Sequence, residues 1–324
     1  MTLFEQLKMI PKVDMHINLT SSISTDLAFD LTDESSILDI EEDMREKNIM
    51  EYVDALKLPI KILKKSQNVI LAINDLIDRL EKNNVIYSEL FLDLPLYNEK
   101  IDEEKLLKVI LDVIKKREYH MNVVLTLSSK RDKEDNLKTL EIFEKYYNQG
   151  VNGLYFYKEK MANLNDYMYL FDRLIKNNYP YILNMNSKMS NGEYDVYMHA
   201  KRIIYALNTI DESFVNECRK NNITLEFSPT RFNENNLIAS YKEYFLGDLF
   251  KENISLTITS YDMTTLNTDI LNEWCILFNN YPLTLLELVK IMNNNLQKAC
   301  IIDLEKAKLI DEFKDKSNKV LEEE

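Results

Sequence analysis

Short apolar runs rich in Val, Ile, Leu and aromatic residues recur along the chain, separated by segments whose apolar positions repeat at helical spacing. The runs predict eight strands: Val13–Ile17, Val85–Leu94, Asn122–Ser128, Val151–Tyr157, Tyr181–Met185, Arg202–Ala206, Thr224–Ser228 and Ser255–Ser260. Between them, Val69, Ile70, Ile73, Leu76, Ile77 and Leu80 form one helical stripe. Leu106, Leu107, Ile110, Val113 and Ile114 form a second, and Leu164, Met168, Phe171, Leu174 and Ile175 a third. Eight strands alternating with helices are the pattern of an α/β fold closed as a parallel (β/α)8 TIM barrel. An open doubly wound sheet is the alternative, and the lack of a Gly-rich turn after the first strand counts against it. Leu19–Pro59 is expected to be a helical insertion after strand 1 that covers the barrel mouth. Extra C-terminal helices follow the last strand, and the tail from Asp303 is expected to pack outside and fray at Glu322–Glu324.

Composition narrows the function classes. The 324 residues fit one large barrel or two domains of about 150 residues. No repeat, low-complexity linker or shift in composition marks a boundary, so residues 1–324 are expected to form a single domain. A formal net charge of −14 argues against nucleic acid and anionic membrane surfaces as partners. Cys218, Cys275 and Cys300 stand far apart with no CxxC pairing, as expected of reduced buried thiols in a cytoplasmic protein. The N-terminus lacks the pattern of a signal peptide, and no run approaches the ~20 apolar residues of a membrane span. The chain has only 4 glycines where average usage gives roughly 23. That scarcity weakens any case for a phosphate-cradling loop, and Asn can take some of the left-handed turns instead.

In a barrel of this kind chemistry sits at the C-terminal ends of the strands. Those ends carry His16 and Asn18, Glu89, Ser128, Lys158, Asn184 to Ser187, Tyr205, Ser228, and Tyr261 with Asp262. Pro11-Lys12-Val13-Asp14-Met15-His16-Ile17-Asn18-Leu19-Thr20-Ser21-Ser22-Ile23 resembles the P-K-x-E-L-H-x-H-L-D-G-S-I opening of adenosine deaminases. Val85-Ile86-Tyr87-Ser88-Glu89-Leu90 is similar to their second strand, and Leu225-Glu226-Phe227-Ser228-Pro229-Thr230 to their L-E-x-C-P-T. Leu271, Glu273, Trp274 and Asn294 match the last helices, so the resemblance runs from residue 10 to about 300.

That family holds one zinc with three histidines and an aspartate, which lowers the pKa of a bound water toward ~7. A glutamate protonates the purine and a further histidine works on the water. Under the resemblance His16 keeps the first ligand and Asn18 replaces the second. Asn184 and Ser187 replace the third imidazole and the proton-donating glutamate. Tyr205 replaces the catalytic histidine and Tyr261 the aspartate ligand, while Asp262 keeps the neighbouring aspartate. Thr20 stands where the family's aspartate reaches the ribose, and Lys158 where a glycine meets the purine. An ion pair between Lys158 and Asp262 across the old site is expected to replace the charge of zinc.

Several readings stay open at this level. His16 alone reads as a structural remnant. Tyr205 and Tyr261 read either as space-filling phenols or as a new ligand-binding pair, and Glu89 as a structural partner. His120 and His199 lie away from the strand ends that matter. No cofactor is expected, and if a metal bound, His16 and Asp262 would be its ligands. The leading expectation is a degenerate, inactive adenosine deaminase homologue that binds a nucleoside or another small molecule. The alternatives are an active, zinc-dependent purine nucleoside deaminase with rearranged ligands, and a non-catalytic scaffold or regulatory partner.

Overall fold

The computed structural model describes residues 2–33, 36–45, 52–97, 102–185, 189, 192–205, 212–234, 241 and 254–322. All eight apolar runs are strands: β1 (Lys12–Asn18), β2 (Val85–Leu92), β3 (Met121–Ser128), β4 (Val151–Tyr157), β5 (Tyr181–Met185), β6 (Arg202–Tyr205), β7 (Thr224–Phe227) and β8 (Leu256–Ile258). They pair in sequence order, every neighbour parallel. The ring is joined where the Asn18 N–H donates to the Tyr261 carbonyl at 3.0 Å and the Tyr261 N–H to the His16 carbonyl at 2.9 Å. The architecture is therefore the TIM barrel and not the open sheet. Helices cover the outer face and side chains fill the inner one, so strands such as β2 and β3 are buried at every residue. Their sequences are rich in apolar residues on both faces for that reason, with Ser88 and Glu89 on β2 and Asn122, Thr126 and Ser128 on β3 as the polar exceptions.

The helical stripes pack on the barrel as their spacing predicts. Ser66–Lys82 buries Val69, Ile73, Leu76, Ile77 and Leu80, and Glu103–Arg117 buries Leu106, Leu107, Ile110, Val113 and Ile114. The Asp102 carboxylate caps the second helix by accepting from the Lys105 N–H. Where a chain this poor in glycine must turn with positive φ, asparagine serves: Asn84, Asn148, Asn178, Asn222 and Asn267 all lie there.

The insertion after β1 contains a short 3-10 turn at Thr20–Ser22 and helices at Thr25–Asp30, Ile37–Met44, Tyr52–Ala55 and Lys57–Leu63. After β8 come helices Ile270–Asn280, Leu285–Lys298 and Asp303–Leu321, the last burying Leu309, Phe313 and Val320. Cys218, Cys275 and Cys300 are unpaired. Among the described residues no helix is long and apolar enough to cross a membrane.

Glu273 ties the helix after β8 to the segment after β7. It is fully buried, accepts from Thr268 Oγ1 at 2.5 Å and from the Thr230 N–H at 3.0 Å, and burial pushes its carboxyl up to about 7. The unfolded-state value is about 4.3. Between those values the folded chain holds a proton that the unfolded chain has lost. The contribution of this group to stability is therefore full below about pH 4, falls as the pH rises toward 7, and is flat above. The slope from this one group is at most about 1.4 kcal/mol per pH unit. Melting midpoints between pH 5 and pH 8 should fall in the wild-type protein and fall less in Glu273→Gln; equal slopes would refute the assignment.

Candidate active site

At the C-terminal ends of the strands, β1, β7 and β8 assemble one buried polar cluster. His16 is fully buried on β1. Its Nδ1 lies 2.5 Å from Glu226 Oε1 on β7, and its Nε2 faces Asn18 Oδ1 at 3.3 Å. The imidazole stacks on Phe91, centroids 3.5 Å apart and planes within 8°, with the Tyr261 ring 4.1 Å away. Tyr155 closes a third side edge-on. A layer of Phe91, Val124, Tyr155 and Ile182 continues this packing across the barrel interior.

Tyr261 occupies an unusual backbone state, with φ of 62° on a bulky aromatic residue. Such a conformation costs on the order of 1–3 kcal/mol and persists only where surrounding bonds over-determine it. Here the two barrel-closing hydrogen bonds around Tyr261 do so. Burial pushes the Tyr261 phenol up to about 12, and the Arg231 guanidinium opposes the rise.

Asp262 is the electrostatic hub. Asn18 Nδ2 donates to its Oδ1 at 2.6 Å, Ser21 Oγ donates to the same oxygen, and Arg231 Nη1 pairs with Oδ2. The Arg231 guanidinium also lies over the Tyr261 ring at 4.0 Å and near the Tyr52 ring at 5.6 Å. The Tyr52 hydroxyl is 3.5 Å from Asp262, so the insertion after β1 does reach the mouth.

Beneath this cluster lies a fully buried ion network. Arg202 on β6 sets Nη1 2.7 Å from Glu89 Oε2 and Nε 3.2 Å from Glu226 Oε2, and its Nη2 donates to the Met15 carbonyl at 2.8 Å. Glu89 also accepts from the Cys300 N–H at 2.6 Å and from the Tyr87 hydroxyl at 3.0 Å. Burial pulls the Arg202 pKa down, but Glu89 and Glu226 outweigh it, so the guanidinium is held charged more firmly than usual. On the far side of β1, Asp14 accepts from the Ser260 N–H and hydroxyl at 3.2 and 2.5 Å, and burial pushes its carboxyl up to about 7.

The sequence-predicted positions divide. His16, Asn18, Tyr261 and Asp262 meet. Asn184 belongs elsewhere: its amide clasps the Lys158 backbone, accepting from the N–H at 2.6 Å and donating to the carbonyl at 2.8 Å. Thr20 is buried against the Tyr97 hydroxyl at 2.7 Å. Ser187 lies outside the described residues, and Tyr205 ends β6 with its side chain outside them. The expected Lys158–Asp262 ion pair does not form. Lys158 is buried with Nζ 3.6 Å from Glu193, and Asp262 takes Arg231 instead. Lys158 follows β4 and Asp262 follows β8, on opposite walls of an eight-stranded ring, whereas Arg231 follows the adjacent β7. His120 pairs with Glu305 at 3.5 Å and His199 is an exposed helix cap, both away from the mouth.

Arg231, Glu226 and Arg202 escaped the sequence analysis as site residues. A signal existed for each. Arg231 directly follows Leu225–Thr230, and Glu226 and Arg202 stand inside strands that otherwise run apolar. A charge in such a strand must find a partner inside the barrel.

Comparison with known proteins bears on this arrangement. The family model described as adenosine deaminase matches residues 11–316. An adenosine deaminase of Clostridium kluyveri is 19% identical over 350 residues, covering 97% of this chain and 96% of its own. The crystal structure of arabidopsis ADAL complexed with IMP superposes with a TM-score of 0.84 at 16% identity, over 97% of this chain and 99% of that one. A COG1816 amidohydrolase from Burkholderia ambifaria with bound Zn superposes with a TM-score of 0.83 at 14% identity, over 99% and 95%.

Proposed function

Because the chain belongs to the adenosine deaminase family, we propose that it is a member whose barrel mouth binds a purine nucleoside or nucleotide and no longer deaminates it. The observation that carries this reading is the partner of Asp262. In a zinc deaminase the cation facing the last strand is the metal; here it is the Arg231 guanidinium, paired with Asp262 and laid on Tyr261.

The residues present do not fit zinc. A tetrahedral site needs imidazole nitrogens and carboxylate oxygens converging at about 2.0–2.2 Å from one point. Among the described residues no three of His, Cys, Asp and Glu converge in that way. The Nε2 of His16 faces an amide oxygen, both oxygens of Asp262 are engaged, and the Tyr261 ring packs against the imidazole. A phenol held near 12 is a poor anionic ligand at neutral pH. A guanidinium beside this position repels a divalent cation as well.

Binding is favoured by the same features. Arg231 is 22% exposed at the mouth and sits between the Tyr261 and Tyr52 rings. A cation flanked by aromatic faces suits a purine carrying negative charge. The ADAL neighbour was crystallised with IMP.

The test joins two measurements on purified protein. Elemental analysis is expected to find zinc far below one per chain, with no conversion of adenosine or AMP to their inosine forms. IMP or AMP is expected to raise the melting midpoint, since a ligand of the native state stabilises it. The Arg231→Ala variant should lose that shift. Stoichiometric zinc with chelator-sensitive turnover would overturn the proposal.

A further inference from the structure

The two partners of the clasp at the mouth, Arg231 and Asp262, stand 31 residues apart on separate segments. Arg231 belongs to the short helix Pro229–Glu234 that follows β7, and Asp262 opens the turn that follows β8. Both lie beyond the paired residues of these strands, which end at Phe227 and Ile258, so the sheet does not by itself set the spacing between them. Glu273 touches both segments. Its Oε2 accepts from the Thr230 N–H at 3.0 Å, one residue before Arg231, and its Oε1 accepts from Thr268 Oγ1 at 2.5 Å. Thr268 is tied in turn to the start of its own segment. Its N–H donates to the Met263 carbonyl at 2.9 Å, and the Leu266 N–H donates to the Asp262 carbonyl at 3.0 Å. Thr268 Oγ1 also accepts from Asn272 Nδ2 at 2.9 Å and lies 3.4 Å from Thr230 Oγ1, which braces the bridge from the side.

Ordinary requirements of folding explain part of this arrangement. Pro229 supplies no N–H, so the buried Thr230 offers the first donor of its helix, and that donor needs an acceptor. A carboxylate in the first turn of helix Ile270–Asn280 also suits the helix dipole. Neither demands a carboxyl group on the buried face, among Ile270, Leu271, Trp274 and Leu277, where polar groups are costly. A side chain ending in two polar atoms does there what a single acceptor could not. It holds an N–H from one segment and a hydroxyl from the other at once.

We infer that Glu273 is a positioning residue for the mouth: by pinning the segment of Arg231 to that of Asp262, it holds the guanidinium where a negatively charged purine meets it. The inference rests on the reading of the mouth as a purine site and adds to it a residue that sets its affinity. Glu273 is fully buried, so it touches no ligand, and its effect passes through the clasp.

Isothermal titration of the full chain with IMP and with AMP, at low and at raised NaCl, tests this on whichever binds more tightly. Glu273→Met keeps the length of the side chain and removes both acceptors. It is expected to bind at least about fivefold more weakly than the wild type, the effect of one or two lost hydrogen bonds. Its affinity should also fall less steeply as salt is raised, because a displaced guanidinium contributes less of the attraction. Glu273→Gln, whose amide can accept from Thr230 and donate to Thr268, should bind within about twofold of the wild type. Thr268→Val removes one arm of the bridge with little change of shape and should weaken binding about threefold. It carries the test if Glu273→Met does not fold. The inference is overturned if Glu273→Met, or Thr268→Val in its place, binds as the wild type does, or if Glu273→Gln is as weak as Glu273→Met. Weaker binding with an unchanged salt dependence, the mark of general loosening, also overturns it. Wild-type protein that binds neither nucleotide would overturn the mouth reading together with this inference. Binding that is lost in Arg231→Ala and unchanged in Glu273→Met would overturn this inference alone.

Discussion

Replacing Arg202 with methionine is expected to destabilise the protein by about 3–5 kcal/mol, a large share of a domain's typical 5–15 kcal/mol. The magnitude follows from what is left behind. Arg202 is fully buried and neutralises two buried carboxylates, Glu89 on β2 and Glu226 on β7, while also bonding the β1 carbonyl of Met15. Without the guanidinium, Glu89 keeps only the Cys300 N–H and the Tyr87 hydroxyl and Glu226 keeps His16, so two buried acids lose their shared cation in an interior where ions are costly. Methionine fills similar space, so a packing void contributes little of the loss. Urea unfolding of the two proteins checks this, and a loss below about 1 kcal/mol would show the network to be energetically idle. Adding Glu89→Gln to the Arg202→Met background should recover part of the deficit, because one uncompensated charge is then removed.

The second large effect is a gain. A chain carrying Asn18→His, Asn184→His, Tyr261→Asp and Arg231→Ser is expected to retain about one zinc per chain after dialysis, removable by a chelator. The barrel retains much of the scaffold that such a site needs. His16 is still oriented by the Glu226 carboxylate at 2.5 Å, the kind of outer contact that fixes a metal-bound imidazole. Position 261 still holds its left-handed backbone, and Asp262 still stands beside it. Removing Arg231 takes away the competing cation. The Asn184 change costs two bonds to the Lys158 backbone, so its contribution to affinity is the smallest of the four. Metal analysis decides the matter: a folded variant that binds no zinc would mean the strand ends have moved apart as well as changed side chains. No turnover is expected even in the loaded variant, since it leaves Ser187 and Tyr205, the counterparts that the family resemblance implies for the acid and the base, unchanged.

The barrel was legible because its strands are read by composition: runs of five to ten residues rich in apolar side chains, spaced by amphipathic helices, admit few other arrangements. Where boundaries differ, local bonding explains it. β2 stops at Leu92 because Leu94–Tyr97 turns into a 3-10 segment, and β8 is only Leu256–Ile258, with positive φ at Tyr261 beyond its end. The site was legible only where a motif residue had an obvious counterpart. His16, Asn18, Tyr261 and Asp262 lie at the ends of two strands that meet at the barrel closure, so their proximity follows from the fold. Arg231 was not legible, because its role depends on a side chain reaching sideways from the segment after β7. The Lys158–Asp262 pairing failed on a matter of distance around the ring that sequence order does not express.

The closure itself has a further consequence. The last strand is short, and the bonds that join it to the first run directly through His16, Asn18 and Tyr261. Whatever lodges in the mouth therefore acts as a rivet across the barrel's weakest joint, and its binding energy adds to the integrity of the whole cylinder. Loss of a metal from such a joint would have left it in need of a new fastener, and the Arg231–Asp262 clasp, with an aromatic ring beneath it, is placed where that fastener belongs.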